Sequence, residues 1–455
     1  MNVQRSHEKQ RREPCDPAAL ERGVRQRLSD KVSGTLAGLW LLVPEHLRLG
    51  TWDLLLGWSG GAPRAVEPRL ALQLVHEAAL CRTGIRQGRA ISQRGFELAN
   101  GLPFLATDQA IHALLEAHSI EQAQALQVAL GKLRRASGHY RGVLLAIDPH
   151  GLRSYTKRQT LRRKAKANEP ATKSVLTFFC LDADTGQPIA FSCGSAARTV
   201  AQATPELLAL VQTILDSQPH DTLILADTEH CCAALFEQVA GHTPFDLLTP
   251  MPATAAFRKQ IRDLPADAFT PSWAGFATTV LPYHPPKAPE LTLYQFIQRC
   301  GEKAGQYQYK SFAATRARDE VDALTRDYPK RWHIEEFYNL YQTLGWNRGG
   351  TLNLHIRYGQ MTMALLAQTV IHQFRQRVGQ PFNTWEAGHL ARNLFQGLEG
   401  DIRVVDDTIV VTYYNCPNAQ LLRKHYEGLP QKLQAENISP TIPWLYDFKL
   451  DFRFK

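Results

Sequence analysis

Residues 328–342 read Tyr328-Pro-Lys-Arg331-Trp-His-Ile-Glu335-Glu-Phe-Tyr-Asn-Leu-Tyr-Gln342. Wound as an α-helix, Tyr328, Arg331, Glu335, Tyr338 and Gln342 fall on one face at steps of three and four. Ile334, Phe337, Tyr341 and Leu344 form a neighbouring apolar stripe that faces a core. Arg331 and Glu335 then sit one turn apart beside a buried surface. Alone, that is an i, i+4 ion pair worth ~0.3–0.5 kcal/mol. Its meaning depends on which other acids the fold brings to it.

Two candidates lie upstream. The apolar run 143–147 (VLLAI) ends in Asp148, and the run 222–226 (TLILA) ends in Asp227. Each reads as a short buried strand with a carboxylate at its end, where a charge is costly unless something positive meets it. If the two strands are neighbours, the two carboxylates cannot both stay ionised without a cation. A divalent metal held by carboxylates, waters and phosphate oxygens is the usual answer. Either Asp alone also reads as an ordinary turn residue.

The chain between them supports a sheet. Residues 174–179 and 189–192 are strand-like and flank the turn Asp184-Thr185-Gly186-Gln187. Thr204-Pro205-Glu206 opens a helix that runs to about residue 217. A helix over 231–239 and a strand over 245–249 follow. Early hairpins followed by strand–helix–strand units predict a mixed sheet with helices packed on it, an α/β fold.

The flanks differ in character. Residues 250–325 crowd Pro282, Pro285, Pro286 and Pro289 among strand-like pieces at 277–281, 291–299 and 306–313, a β-rich insertion. From Pro17 to about Arg135 the pattern is helical, with an amphipathic stretch at 67–82. Residues 107–135 read as two helices, Thr107 capping the first and Ser119-x-x-Gln122 boxing the second. That pair fits a helix-turn-helix or an αα-hairpin, and Ala and Leu around much of the second helix favour the hairpin. Residues 402–405 and 408–414 form a hairpin around Asp406-Asp407.

With these residues in view, the chain resembles the DDE transposases of bacterial insertion sequences, the group marked by Tyr-x2-Arg-x3-Glu-x6-Lys. Tyr328, Arg331 and Glu335 match that signature, and Gln342 stands where the group has Lys. LLAIDPHG around Asp148, DADTGQPIAF in the following hairpin and LILADTEH around Asp227 fit as well. The longer gap, from 227 to 335, resembles the β-rich insertion that this group carries there. The resemblance covers residues 140–375 well and the remainder loosely. It implies a ribonuclease-H-like catalytic domain interrupted by the insertion and preceded by an α-helical N-terminal domain. It implies two Mg²⁺ ions, with Mn²⁺ able to substitute, held by Asp148, Asp227 and Glu335. Arg331 would meet a phosphate or orient Glu335, Tyr328 would sit near flanking backbone, and Gln342 would offer DNA a hydrogen bond without charge. The expected partners are double-stranded DNA, as element ends and as target, and a second copy in a synaptic homodimer. Rival readings are a catalytically silent DNA-binding descendant and a metal-dependent nuclease that does not join strands. Glu336, the wrong-register rival to Glu335, lies ~100° round the helix.

The organisation expected is a charged tail over 1–16 and a helical N-terminal domain over 17–137 with DNA-end binding as a candidate role. The first part of the catalytic domain follows over 138–249, then the insertion over 250–325. The catalytic helix and the rest of the domain occupy 326–395, and a segment with a β-hairpin occupies 396–455.

Charge agrees with a polyanionic partner. Among 455 residues, 52 Lys and Arg outnumber 43 Asp and Glu, a net +9. Seven of these basic residues, Lys157, Arg158, Arg162, Arg163, Lys164, Lys166 and Lys173, lie in 156–173 against the single acid Glu169. Its position just after Asp148 favours phosphate binding over a merely solvated loop. Trp346 with Asn347 and Arg348 reads as a packed helix end, with base stacking as the alternative. A 44% hydrophobic and 21% charged composition excludes wholesale disorder. Eight Cys without a CxxC pair suit a reducing compartment. No apolar run approaches the ~20 residues that span a bilayer, and the N-terminus lacks an apolar signal core. The expected setting is the bacterial cytoplasm, at the nucleoid. Gly57-Trp58-Ser59-Gly60-Gly61 matches a nucleophile elbow but lacks a helix right after it. His230-Cys231-Cys232 lacks the spacing of a zinc site, and His76-Glu77-Ala-Ala-Leu80 fails HExxH at its last position. Neither a Walker A nor a GxGxxG motif occurs, so a nucleotide cofactor is not expected.

Overall fold

The structure is a computed structural model describing residues 16–60, 62–82, 94–154, 156–164, 170–345, 351–414 and 416–455. It divides into two compact units, Ser119–Leu365 and the pair of segments Met1–His118 and Leu366–Lys455. The chain passes between the units after His118 and within the helix Leu354–Val378.

The unit Ser119–Leu365 is built on one mixed sheet. Its strands are β1 (Leu144–Arg153), β2 (Thr172–Asp182), β3 (Gln187–Ser195), β4 (Leu223–Leu225) and β5 (Asp246–Pro250), followed by β6 (Thr270–Trp273), β7 (Phe276–Tyr283), β8 (Leu293–Cys300) and β9 (Gln308–Ala314). They lie in the order β3-β2-β1-β4-β5-β9-β8-β7-β6, with the two-residue strand Arg162–Arg163 beside the start of β2. β1, β2 and β3 pair antiparallel, while β4 lies parallel to both β1 and β5. Gly186, at φ 68°, supplies the left-handed position of the β2–β3 turn. Buried Asp182 accepts the amides of Asp184 and Thr185 there.

Alternation along β1 sets the two faces of the sheet. Leu145 and Ile147 point into a core with Phe178, Cys180, Ile224 and Leu247. That core is capped by α1 (Ile120–Ala136), α2 (Val200–Leu215) and α3 (Ala233–His242), which supply Leu207, Val211, Ile214, Phe236 and Val239 among others. α1 opens on the expected Ser119–Gln122 capping box. α2 opens one turn before the expected Thr204-Pro205-Glu206, because Thr199 and Gln202 form a capping box of their own and Pro205 is carried inside the helix. The opposite face of the sheet receives the segment that begins at Tyr328 and the first half of Leu354–Val378. Arg357 is buried there and donates to the carbonyls of Gly194 (2.9 Å) and Leu176 (2.8 Å).

Residues 254–314 extend the sheet beyond β5. Strands fall where 277–281, 291–299 and 306–313 were read, and β9 pairs antiparallel with β5. Two pieces escaped the sequence reading: the edge strand β6, and α4 (Ala255–Asp263). Neither has a buried residue, so neither prints an apolar run. Phe257, Ile261 and Leu264 still pack, half-buried, on a small core of Phe269, Ala277 and Ile297.

The other unit joins both ends of the chain. Val32–Gly34 pairs antiparallel with Gly400–Ile402, completing a five-stranded sheet with Thr408–Tyr413, Phe448–Phe454 and Thr441–Ile442. Helices Pro17–Ser29, Thr51–Ser59, Glu67–Ala79, Ala419–Tyr426 and Leu429–Ala435 belong to it. A strand of three residues is too short to read from sequence, and its partner lies far along the chain. Thr51–Ser59 is helical, so the elbow pattern at Gly57 has no strand before it. No helix among the described residues is long and apolar enough to cross a membrane.

Candidate active site

The β1–β4 register positions the two aspartates. Leu144 pairs with Leu223 and Ala146 with Leu225, so two residues on, Asp148 and Asp227 come level just past the last parallel pair. Asp227 follows the end of β4, whereas β1, expected to end at Asp148, runs on to Arg153 because its antiparallel pairing with β2 continues. Period-two alternation sends Asp148 to the face opposite Leu145 and Ile147, the face that receives residues 328–341.

That segment departs from one continuous α-helix. Ala323–Asp327 is a π-turn, Tyr328–Trp332 a 3₁₀ turn, His333–Tyr341 an α-helix (α5), and Gln342–Leu344 a further 3₁₀ turn. Pro329 has no N–H to give a regular helix, which accounts for the tighter winding around it. The expected residues still converge. Arg331 Nη2 donates to Glu335 Oε1 at 2.8 Å, and Arg331 Nη1 stands 4.0 Å from Asp148 Oδ1. The Tyr328 hydroxyl donates to the carbonyl of Ala226 at 3.3 Å. Glu336 is exposed. The side chain of Gln342 lies outside the described residues.

Several neighbours were not singled out from sequence. The buried Tyr338 hydroxyl donates to the carbonyl of Asp148 at 2.8 Å, and its ring stacks on His150, centroids 4.3 Å apart. Tyr328 therefore pins the end of β4 and Tyr338 the middle of β1, beside each aspartate. His333 Nδ1 donates to the carbonyl of Ala183 (2.6 Å), and Lys330 pairs with Asp184 (2.6 Å), docking the segment on the β2–β3 turn. His230 Nδ1 donates to Asp227 Oδ1 at 2.9 Å. The signal for Tyr338 was its place on the shared face; for His230 it was the three-residue step from Asp227.

The electrostatics separate the two aspartates. Burial, and then the charge of Asp227, push the Asp148 carboxyl up to about 8, with Arg331 opposing and Glu335 and Glu229 adding to the rise. Burial acts on Asp227 as well. There the His230 contact, the amide of Glu229 and Arg331 outweigh it and hold the carboxyl below its ordinary value. Burial also raises the Tyr328 hydroxyl to about 12 and the Tyr338 hydroxyl well above its ordinary range.

Among the described residues, no group of three or more His, Cys, Asp and Glu side chains lies close enough together to hold a metal ion. Glu335 is engaged by Arg331. The donor chemistry nevertheless fits a hard divalent cation. Two carboxylates lie level on adjacent buried strands, a third lies one turn from the arginine beside them, and burial with too little positive charge nearby raises the Asp148 carboxyl.

The basic tract begins beyond β1. Lys157, Arg158, Arg162 and Lys164 are exposed and Arg163 is half-buried. Lys173 ties the tract down, donating to the carbonyls of Thr156 (3.0 Å) and Arg158 (2.6 Å). Lys166, Trp346, Asn347, Arg348 and residues 1–15 lie outside the described residues.

The α/β sheet thus brings two aspartates level on adjacent strands, with a glutamate on the docked helix α5 linked to Asp148 through Arg331. Residues 139–370 match the transposase DDE domain family, just over half of the chain, and the chain belongs to that family. Domains of this family use divalent metal ions. A solved piggyBac transposase synaptic complex with hairpin DNA is similar at 12% identity over 81% of this chain and 82% of that one, with a TM-score of 0.39. No curated protein matches the chain.

Proposed function

We propose that the chain is an insertion-sequence transposase that binds the terminal inverted repeats of its element and carries out Mg²⁺-dependent strand cleavage and strand transfer. The observation that carries this reading is the level pair Asp148 and Asp227, with Glu335 linked to Asp148 through Arg331, inside the family match. The order β3-β2-β1-β4-β5, three antiparallel strands and then two parallel ones, supports a ribonuclease-H-like domain, with residues 250–325 inserted before its catalytic helix.

Asp148, Asp227 and Glu335 would hold the metal. Bound there, divalent ions would lower the pKa of attacking water and stabilise the leaving oxygen, and Mn²⁺ would serve in place of Mg²⁺. Arg331 balances the acidic cluster and would turn to a DNA phosphate or hold Glu335 in orientation. Tyr328 and Tyr338 would hold the two strands fixed beside the aspartates, as a site held to sub-ångström tolerance requires. Lys157, Arg158, Arg162, Arg163, Lys164 and Lys166 would grip the DNA backbone, with Gln342 an uncharged contact. Two DNA ends handled together call for a homodimer in the synaptic complex.

The test uses purified protein, a supercoiled plasmid carrying the element and Mg²⁺. Cleavage at element ends with joined products is the expected result. Cleavage without joining would mark a nuclease, and binding without cleavage a silent descendant. Asp148→Ala, Asp227→Asn and Glu335→Gln should each reduce cleavage to background; full cleavage by all three would sink the site assignment.

A further inference from the structure

Asp227 is held by one of its two oxygens. It caps the short turn Thr228–His230, and Oδ1 accepts both the Glu229 amide at 3.0 Å and His230 Nδ1 at 2.9 Å. Among the described residues no donor reaches Oδ2. The main chain is fixed as well: the His230 amide donates to the Asp227 carbonyl at 3.1 Å, and Thr249 Oγ1 donates to the same carbonyl at 2.6 Å. The His230 side chain is 2% exposed and that of Asp227 is 31% exposed, so the imidazole is rigid and the carboxylate still has an open side.

We propose that His230 is a positioning residue that immobilises Asp227 through Oδ1, so that Asp227 offers a divalent cation Oδ2 alone. This rests on Asp227 being a metal ligand. The hydrogen bond needs a proton on Nδ1, and both the cationic imidazole and one neutral tautomer carry it, so the device holds in either charge state. Its value is orientational. A freely turning carboxylate alternates between one-oxygen and two-oxygen contact, whereas a pinned one presents a fixed lone pair. Outer partners that fix a ligand in this way are generally worth 10–100-fold in metal affinity.

The test is Mn²⁺ binding to the full chain without DNA, followed by electron paramagnetic resonance or calorimetry, with folding checked by thermal melting. His230→Phe keeps a buried ring and removes the donor; His230→Ala removes the donor by truncation, and whichever folds serves. Either should weaken Mn²⁺ binding by about 10–100-fold. His230→Asn, which restores an N–H near the Nδ1 position, should bind close to wild type. Asp227→Asn is the reference and should bind least. If Asp227→Asn loses binding while the donor-less variants keep wild-type affinity, the positioning role is overturned and the acidic site stands. If His230→Asn is as weak as the donor-less variants, the hydrogen bond is not the cause and the proposal fails. Wild-type affinity in Asp227→Asn would overturn the ligand assignment and the inference together.

Discussion

Asp148 and Asp227 lie level on adjacent strands and differ in what surrounds them. Asp227 has two donors on one oxygen, whereas Asp148 has Arg331 at 4.0 Å and three acids acting against it. The consequence for stability has a definite sign. The folded-state pKa of Asp148 is raised, to about 8 from an ordinary 3.8, so the folded chain binds more protons than the unfolded chain between those values. Stability from this group is therefore full below about pH 4 and is lost as pH rises towards 8. In chelator-treated protein, Asp148→Asn should melt close to wild type at pH 4 and several degrees or more higher at pH 9, since each kcal/mol moves the melting point of a unit this size by about 2–4 °C. A pH-independent difference in melting temperature would mean that Asp148 ionises normally. The pair of aspartates was legible because each closes an apolar run, although β1 continues past Asp148 to Arg153. Their different fates were not: Arg331 reaches Asp148 only through the fold, and the three-residue step to His230 marks a neighbour of Asp227 without showing which oxygen it meets.

At the scale of elements, the segment 328–341 works as a clasp. Three hydrogen bonds, from Tyr328 to Ala226, Tyr338 to Asp148 and His333 to Ala183, tie it to β4, β1 and the β2–β3 turn. Tyr338→Phe should leave the Asp148 carbonyl buried without that donor and cost about 1–2 kcal/mol in a denaturant titration. It should also reduce DNA cleavage, because the freed carbonyl belongs to the aspartate itself. Tyr328→Phe removes a longer bond and should cost about 0.5–1 kcal/mol. Equal, negligible losses in both variants would show that ring packing alone holds the clasp. Helical periodicity found the face that Tyr328, Arg331, Glu335 and Tyr338 share. It missed the π and 3₁₀ windings, which redistribute the turns around Pro329 while keeping those side chains in reach. For α2 the error ran the other way. A proline at the first turn is a familiar opening, but the Thr199–Gln202 box one turn earlier satisfies more orphan amides.

At the scale of the molecule, sequence resolved what is local and missed what is paired over distance. The β2–β3 hairpin and the hairpin around Asp406 announce themselves through turn residues, whereas Val32–Gly34 joins Gly400–Ile402 through a pairing that neither segment encodes alone. Charge is the other property of the whole chain. The net +9 is a modest surplus for 455 residues, and an even spread would grip DNA weakly. Lys157, Arg158, Arg162 and Lys164 concentrate part of it on exposed chain that follows the Asp148 strand. Lys173 bonds that tract to the sheet, so the charges are delivered at a fixed place rather than on a free tether. If they meet duplex DNA as proposed, each phosphate they neutralise would release counterions and steepen the slope of log affinity against log salt by about 0.9. Replacing the four residues with Gln while keeping Lys173 should lower the magnitude of that slope by about 0.9 for every phosphate no longer neutralised. Affinity should fall alike for element-end and unrelated duplexes, because binding to phosphates carries no sequence information. The measurement is fluorescence anisotropy on both duplexes across a salt series. An unchanged slope would place the DNA grip elsewhere on the molecule, and a weakening confined to element ends would make the tract a reader of sequence instead of a backbone clamp.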